Sequence, residues 1–182
     1  SDVVLFRSTI ESGSGTITLA AIGATKELEG LTINAQTTGT SAITVPNIGS
    51  GAINLSTGAG VNGNVAIGNA NTASITLSGL IYSVDGNITL TTTAGSGTST
   101  SNHEINITGG TAGADPFIAT DAGNISFVGG EVELANNSNL TINSNRKAAT
   151  GGTASGNISI AKGIDGTSDE DLDRKSTRLN SS

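Results

Sequence analysis

Gly86-Asn87-Ile88-Thr89-Leu90 sets two apolar side chains on either side of a small polar one, directly after a glycine. Alternation of this kind has a period of two, which builds a strand with one dry face and not a helical stripe. The pattern returns as Gly15-Thr16-Ile17-Thr18-Leu19 and as Gly51-Ala52-Ile53-Asn54-Leu55. Outward from these, the same apolar–small–apolar spacing pairs Leu31 with Ile33, Ile43 with Val45, Val65 with Ile67 and Ile75 with Leu77. It continues with Ile105/Ile107, Ile125/Phe127, Leu140/Ile142 and Ile158/Ile160. Strands recur every 10 to 20 residues, separated by Gly, Asn, Ser and Thr. The best helical candidate, residues 20–28, is short and carries Gly23.

Gly, Thr, Ser and Asn make up half of the 182 residues, a composition that would read as disorder were it not for 19 isoleucines held in register with the turns. Self-similar strands are expected where each one stacks on its predecessor in the same environment. The four aromatic residues, Phe6, Tyr82, Phe117 and Phe127, are too few to fill a sandwich core. Tight Asn-Gly and Asp-Gly hairpin signals occur only at Asn62-Gly63 and Asp85-Gly86 within the strand-bearing region. The expected fold is therefore all-β, a right-handed parallel β-helix over residues 1–172, with a β-sandwich as the alternative. An even coil of ~22 residues would give about eight coils and roughly 40 Å of axial length at the spacing of neighbouring strands.

Composition also bounds the chemistry. There is no Cys, hence no disulfide framework, zinc knuckle or thiol nucleophile, and a single His, His103. The net charge of −7 leaves no basic surface to displace counterions from nucleic acid. No apolar run is long enough to span a bilayer.

Individual polar residues have plain readings. Asn54, Asn87, Asn106, Asn124, Asn139 and Asn157 all begin Asn-x-Ser/Thr sequons. An outward Asn, an inward apolar residue and an outward hydroxyl generate that pattern by themselves, and stacked Asn can form amide ladders. Asp165, Asp169, Glu170 and Asp171 offer carboxylate oxygens to a calcium ion, but the repeat of calcium-binding β-rolls is missing, so a solvated turn is expected. His103-Glu104 reads as a polar loop and Arg146-Lys147 as a solvated turn. Glu131 and Glu133 alternate with Val132 and Leu134, so both carboxylates should project outward from one strand, a pairing that glycosidases use. Thr-x-Thr rows of the kind that bind ice are confined to Thr16/Thr18. The titratable residues fall in turns or at outward positions, where water keeps their charges ordinary. No catalytic, cofactor or metal residue is assigned.

Residues 173–182, Asp-Arg-Lys-Ser-Thr-Arg-Leu-Asn-Ser-Ser, carry three of the eight basic residues and no Gly. They match the translation of a common sequencing-library adapter. They are expected to be a non-native, disordered tail that adds no strand.

Gly13-Ser-Gly-Thr-Ile-Thr-Leu19, then Ile22-Gly-Ala-Thr-Lys-Glu-Leu28, then Leu31-Thr-Ile-Asn-Ala35 resembles the repeat unit of large bacterial surface adhesins of the filamentous haemagglutinin type. The second half resembles it again, with Gly129-Gly-Glu-Val-Glu-Leu134, Asn139-Leu-Thr-Ile-Asn143 and Ile164-Asp-Gly-Thr-Ser168. The resemblance spans roughly residues 13–172. It implies a secreted or cell-surface β-solenoid, non-enzymatic, acting as a stalk or adhesion surface. The implied partners are host or environmental glycans, other surface proteins and adjacent repeats of the same chain. It supplies no catalytic residues. A carbohydrate-active β-helix is the alternative function.

Overall fold

The computed structural model describes residues 7–13, 15–23, 28–35, 42–50, 60–94, 104–108, 115–135, 138–146, 156–166 and 172–175. The strands follow one another in coils. The first two coils contribute β1 (Arg7–Ser12) and β2 (Ile17–Thr18), then β3 (Gly30–Ala35) and β4 (Ala42–Val45). The third holds β5 (Val65–Ile67), β6 (Ser74–Leu77) and β7 (Ile81–Ser83), and the fourth β8 (Ile88–Thr91), β9 (Glu104–Thr108) and β10 (Phe117–Thr120). The fifth holds β11 (Ile125–Val128), β12 (Glu131–Ala135) and β13 (Leu140–Asn143), and the sixth β14 (Ile158–Ile160), β15 (Ile164–Gly166) and β16 (Leu172–Lys175).

Each strand pairs in parallel with its counterpart one coil away. Three sheets result, in the orders β1-β3-β5-β8-β11-β14, β2-β4-β6-β9-β12-β15 and β7-β10-β13-β16. This is a three-faced parallel β-helix, and hairpin pairing of chain neighbours, which a sandwich needs, does not occur among the described strands. In the first two coils the described residues of the third face make isolated bridges, Ile22 to Ile48, Ile48 to Ile81, Leu28 to Val61 and Val61 to Ser83. Of the helical candidate at 20–28, Ile22 and Leu28 each make one bridge to the next coil, and residues 24–27 lie outside the described residues.

Register explains the core. On the first sheet Leu31, Val65, Ile88, Ile125 and Ile158 stand in one column, and Ile33, Ile67, Leu90, Phe127 and Ile160 in the next. On the second, Ile17, Ile43, Ile75, Ile105, Val132 and Ile164 stack likewise. Alternation puts every one of these side chains inward, and those in the middle coils are buried. Each such burial contributes on the order of 1.5–3 kcal/mol. Leu19, Ile158 and Ile160 are only partly buried, since they belong to the first and last coils and pack against a coil on one side. The Ile53/Leu55 pair lies outside the described residues.

The coil is uneven, as the irregular strand intervals and the insertion at 91–101 imply: Asn64, Asn87, Asn124 and Asn157 hold the same corner 23, 37 and 33 residues apart. Two expectations are corrected. Among the described residues six coils, not eight, stack along the axis, which at ~4.8 Å per step gives about 24 Å between the outermost strands of the first sheet. The extra residues leave at corners, where a loop costs little because closure entropy grows slowly with length. Finally, β16 runs through Lys175 and pairs Asp173, Arg174 and Lys175 with Thr141, Ile142 and Asn143. The first three residues of the expected tail thus extend the third sheet. An open strand edge offers unpaired N–H and C=O groups to whatever chain follows, whatever its side chains. Residues 176–182 lie outside the described residues.

Candidate functional site

The corner leading into the first sheet is built from a repeated Gly-Asn dipeptide, at Gly63-Asn64, Gly86-Asn87, Gly123-Asn124 and Gly156-Asn157. The coils approach so closely here that a Cβ on Gly123 would collide with the carbonyl of Gly86, and one on Gly156 with that of Gly123. Each Asn then ties its coil to the next. The Asn87 amide N–H donates to Asn64 Oδ1 at 2.9 Å, Asn124 N–H to Asn87 Oδ1 at 2.8 Å and Asn157 N–H to Asn124 Oδ1 at 2.8 Å. Three sequon asparagines, Asn87, Asn124 and Asn157, therefore stand in an axial ladder. At Asn87 and Asn124, whose side-chain carbonyls accept, the ladder accounts for the residue type without a glycan.

A carboxylate cluster sits on the outer side of the second sheet. Glu104 of β9 is in register with Glu131 of β12, and Glu133 lies two residues along the same strand, in register with Asp165 of β15. Glu131 and Glu133 do project outward, half-buried. Glu104 is not a loop residue but the first residue of β9. Its carboxyl is raised to about 7 by burial, then by a hydrogen bond to the Glu133 carboxylate and by the charges of Glu133 and Glu131. The expectation of ordinary charges at outward positions is corrected here: parallel in-register pairing puts residues of adjacent coils side by side, so carboxyl groups far apart in sequence share one patch of low dielectric. His103 falls outside the described residues. So do Asp169, Glu170 and Asp171, while Asp165 is exposed on β15. Among the described residues no group of three His, Cys, Asp or Glu is disposed to hold a metal ion.

The outer side of the third sheet is where sequence reasoning missed most. Tyr82, Ala119 and Asn143 are in register on adjacent coils and alternate with the inward Ile81, Ile118 and Ile142, yet all three are buried. Arg146 covers them. Its guanidinium carbon stands 3.8 Å from the centroid of the Tyr82 ring, and the residue has no exposed surface. The expected solvated turn at Arg146 is thus corrected: the flat cation stacks on the only tyrosine, an attraction that survives desolvation. The Tyr82 hydroxyl donates to Asp121 Oδ1 at 3.1 Å. The phenol is pushed up to about 12 by burial, against the pull of the Arg146 charge and with the help of Asp121 and Asp85. Lys147 lies outside the described residues.

An open groove of about 450 Å³ runs along the first sheet near β1, walled by Arg7, Thr9, Glu29, Thr32, Asn64 and Asp85. Its described walls are polar and carry no aromatic platform. Among the described residues no helix is long and apolar enough to cross a membrane.

Fold and surface together define an all-β parallel solenoid whose outer faces carry hydroxyl, amide and carboxylate rows. Comparison of the chain with protein-family models, with curated proteins and with solved structures gives no match.

Proposed function

We propose that this chain is a structural repeat segment of a bacterial cell-surface or secreted adhesin, serving as a non-enzymatic stalk or adhesion surface. The observation that supports it most is the asparagine ladder. Side-chain carbonyls that would otherwise face a ligand are spent on joining one coil to the next, which is what a load-carrying rod requires. Each coil contacts its neighbours, so the rod lengthens by repetition without redesign. Adhesion then comes from broad outward faces, weak per site and strengthened by copy number. A glycan array and a polysaccharide-cleavage screen with the full chain test this. Absence of turnover and of micromolar affinity for any single oligosaccharide is expected; micromolar binding to one oligosaccharide overturns the passive rod.

A second reading, a carbohydrate-active β-helix, is favoured by one observation. Glu104, raised to about 7 beside two further carboxyl groups, has the properties of a general acid poised near neutral pH. Turnover of a polysaccharide that Glu104→Gln and Glu133→Gln each abolish would place this reading first.

A further inference from the structure

A solenoid of self-similar coils has a problem of order. Ile81, Ile118 and Ile142 present the same side chain to the core of the third face, and Gly-Asn opens four successive coils. If the fourth coil looped out, β11 would meet β5 with the inner isoleucines and the corner ladder restored one step lower. Inner packing alone does not forbid that slip.

The outer row of the third face is unlike the rest. We propose that Tyr82, Asp121 and Arg146 form a register lock that fixes the order of the third, fourth and fifth coils. Each residue comes from a different coil. Tyr82 belongs to β7, Asp121 directly follows β10, and Arg146 follows β13 by three residues. Ala119, the register partner of Tyr82, is small and leaves room beside the ring for the contact with Asp121 on its own coil. From the fifth coil the Arg146 guanidinium closes over the ring at 3.8 Å. On the side of the second coil, Gly60 lies so near that a Cβ would come 2.7 Å from Tyr82 Cδ1. The ring thus contacts or bonds groups from the second, fourth and fifth coils, and a coil slip breaks the set.

The energetics fit a specificity device better than a ligand site or a plain strut. Nε, NH1 and NH2 of Arg146 are sealed from solvent and find no hydrogen-bond partner among the described residues. An anion cannot reach them without moving the chain. Burying a guanidinium with its hydrogen bonds unmade is costly, and an apolar side chain of similar volume would serve packing better. Buried polar groups that cost stability while fixing register are the best-attested use of such residues.

The absence of Cys makes order directly readable. Thr89 and Ser126 are in-register outward partners, as are Ala66 and Thr89, so Ser126 and Ala66 stand two strand spacings apart, ~10 Å. That exceeds the reach of a disulfide, whereas the adjacent pair is within it. The full chain carrying Thr89→Cys with Ser126→Cys reports native order; Ala66→Cys with Ser126→Cys reports the slipped one. Both are refolded from urea under mild oxidation, in the parent and with Arg146→Leu or Tyr82→Phe. The expected result is that the slip reporter stays reduced in the parent and rises at least tenfold with Arg146→Leu and measurably with Tyr82→Phe. The urea midpoint of the natively ordered fraction should not fall with Arg146→Leu. A slip reporter as silent in both variants as in the parent overturns the lock, as does a lowered midpoint with native order intact. If Arg146→Leu yields no folded chain, Tyr82→Phe decides alone by the same reporter.

Discussion

At single positions the structure separates residues that look alike in sequence. Ile88 and Thr89 are neighbours in one alternating run, but Ile88 has no exposed surface and Thr89 is half-buried on the outer side. Ile88→Asp puts a carboxylate without a partner into a dry column, and should cost roughly 3–5 kcal/mol in urea denaturation. Thr89→Asp should stay within about 0.5 kcal/mol. Glu104 gives a second residue-scale expectation, this time in pH. Its carboxyl titrates at about 7 in the folded chain and near the ordinary 4.5 when unfolded. Between those values the folded state binds more protons than the unfolded one, so stability falls as pH rises through the window. The penalty is absent below the unfolded value and complete above the folded one. Thermal melts should therefore give a higher Tm at pH 5 than at pH 8, with a smaller difference for Glu104→Gln. An unchanged pH dependence in that variant would show that the strain in the cluster lies elsewhere.

At the scale of strands, the first two sheets were legible because one side of each faces water. There, alternation writes itself into the residues, as in Leu31/Ile33 or Ile75/Leu77. β7 and β10 were not legible, since Tyr82 and Ala119 are buried on the outside while Ile81 and Ile118 are buried on the inside. A strand covered on both sides loses the two-residue period, and nothing local in Ile81-Tyr82-Ser83 announces that Arg146 will cover it. The carboxylate cluster was half legible: Glu131 and Glu133 alternate in one strand, but Glu104 joins them only through inter-coil register, which spacing along the chain does not encode. The asparagine ladder shows the reverse case, where a local motif does forecast a cross-coil bond. Asn124 accepts from the Asn157 amide, and its own amide donates to Asn87. Asn124→Ala removes the first bond and keeps the second, so it should lower stability by about 1 kcal/mol. Faster hydrogen exchange at the Asn157 amide should accompany the loss. Unchanged protection there would mean that the ladder does not hold the corner.

For the whole molecule, the governing feature is that interactions run between adjacent coils, with the Tyr82 cluster as the long-reaching exception. A coil should then be an insertable unit, provided that exception is respected. The third coil, residues 65–87, is the convenient one, because it is as short as any and ends on Gly86-Asn87. A second copy placed after Asn87 meets the same glycine corner, accepts the same amide ladder and stacks Val65, Ile67, Ile75 and Leu77 on their own duplicates. Only Tyr82 would meet itself in register, where the native chain supplies the small Ala119. Changing Tyr82 to Gly in the first copy gives the second copy's ring the neighbour that Gly60 gives it in the native chain, and leaves that ring to Asp121 and Arg146. Small-angle scattering should show this chain longer than the parent by one strand spacing, ~4.8 Å. Its unfolding midpoint should match or exceed the parent's, since a repeat array adds one interface with every coil. The duplicate that keeps both tyrosines should fold less uniformly, because two rings compete for the room that Ala119 leaves for one. Equal behaviour of the two duplicates would show that coil order on this face is set by something other than the tyrosine.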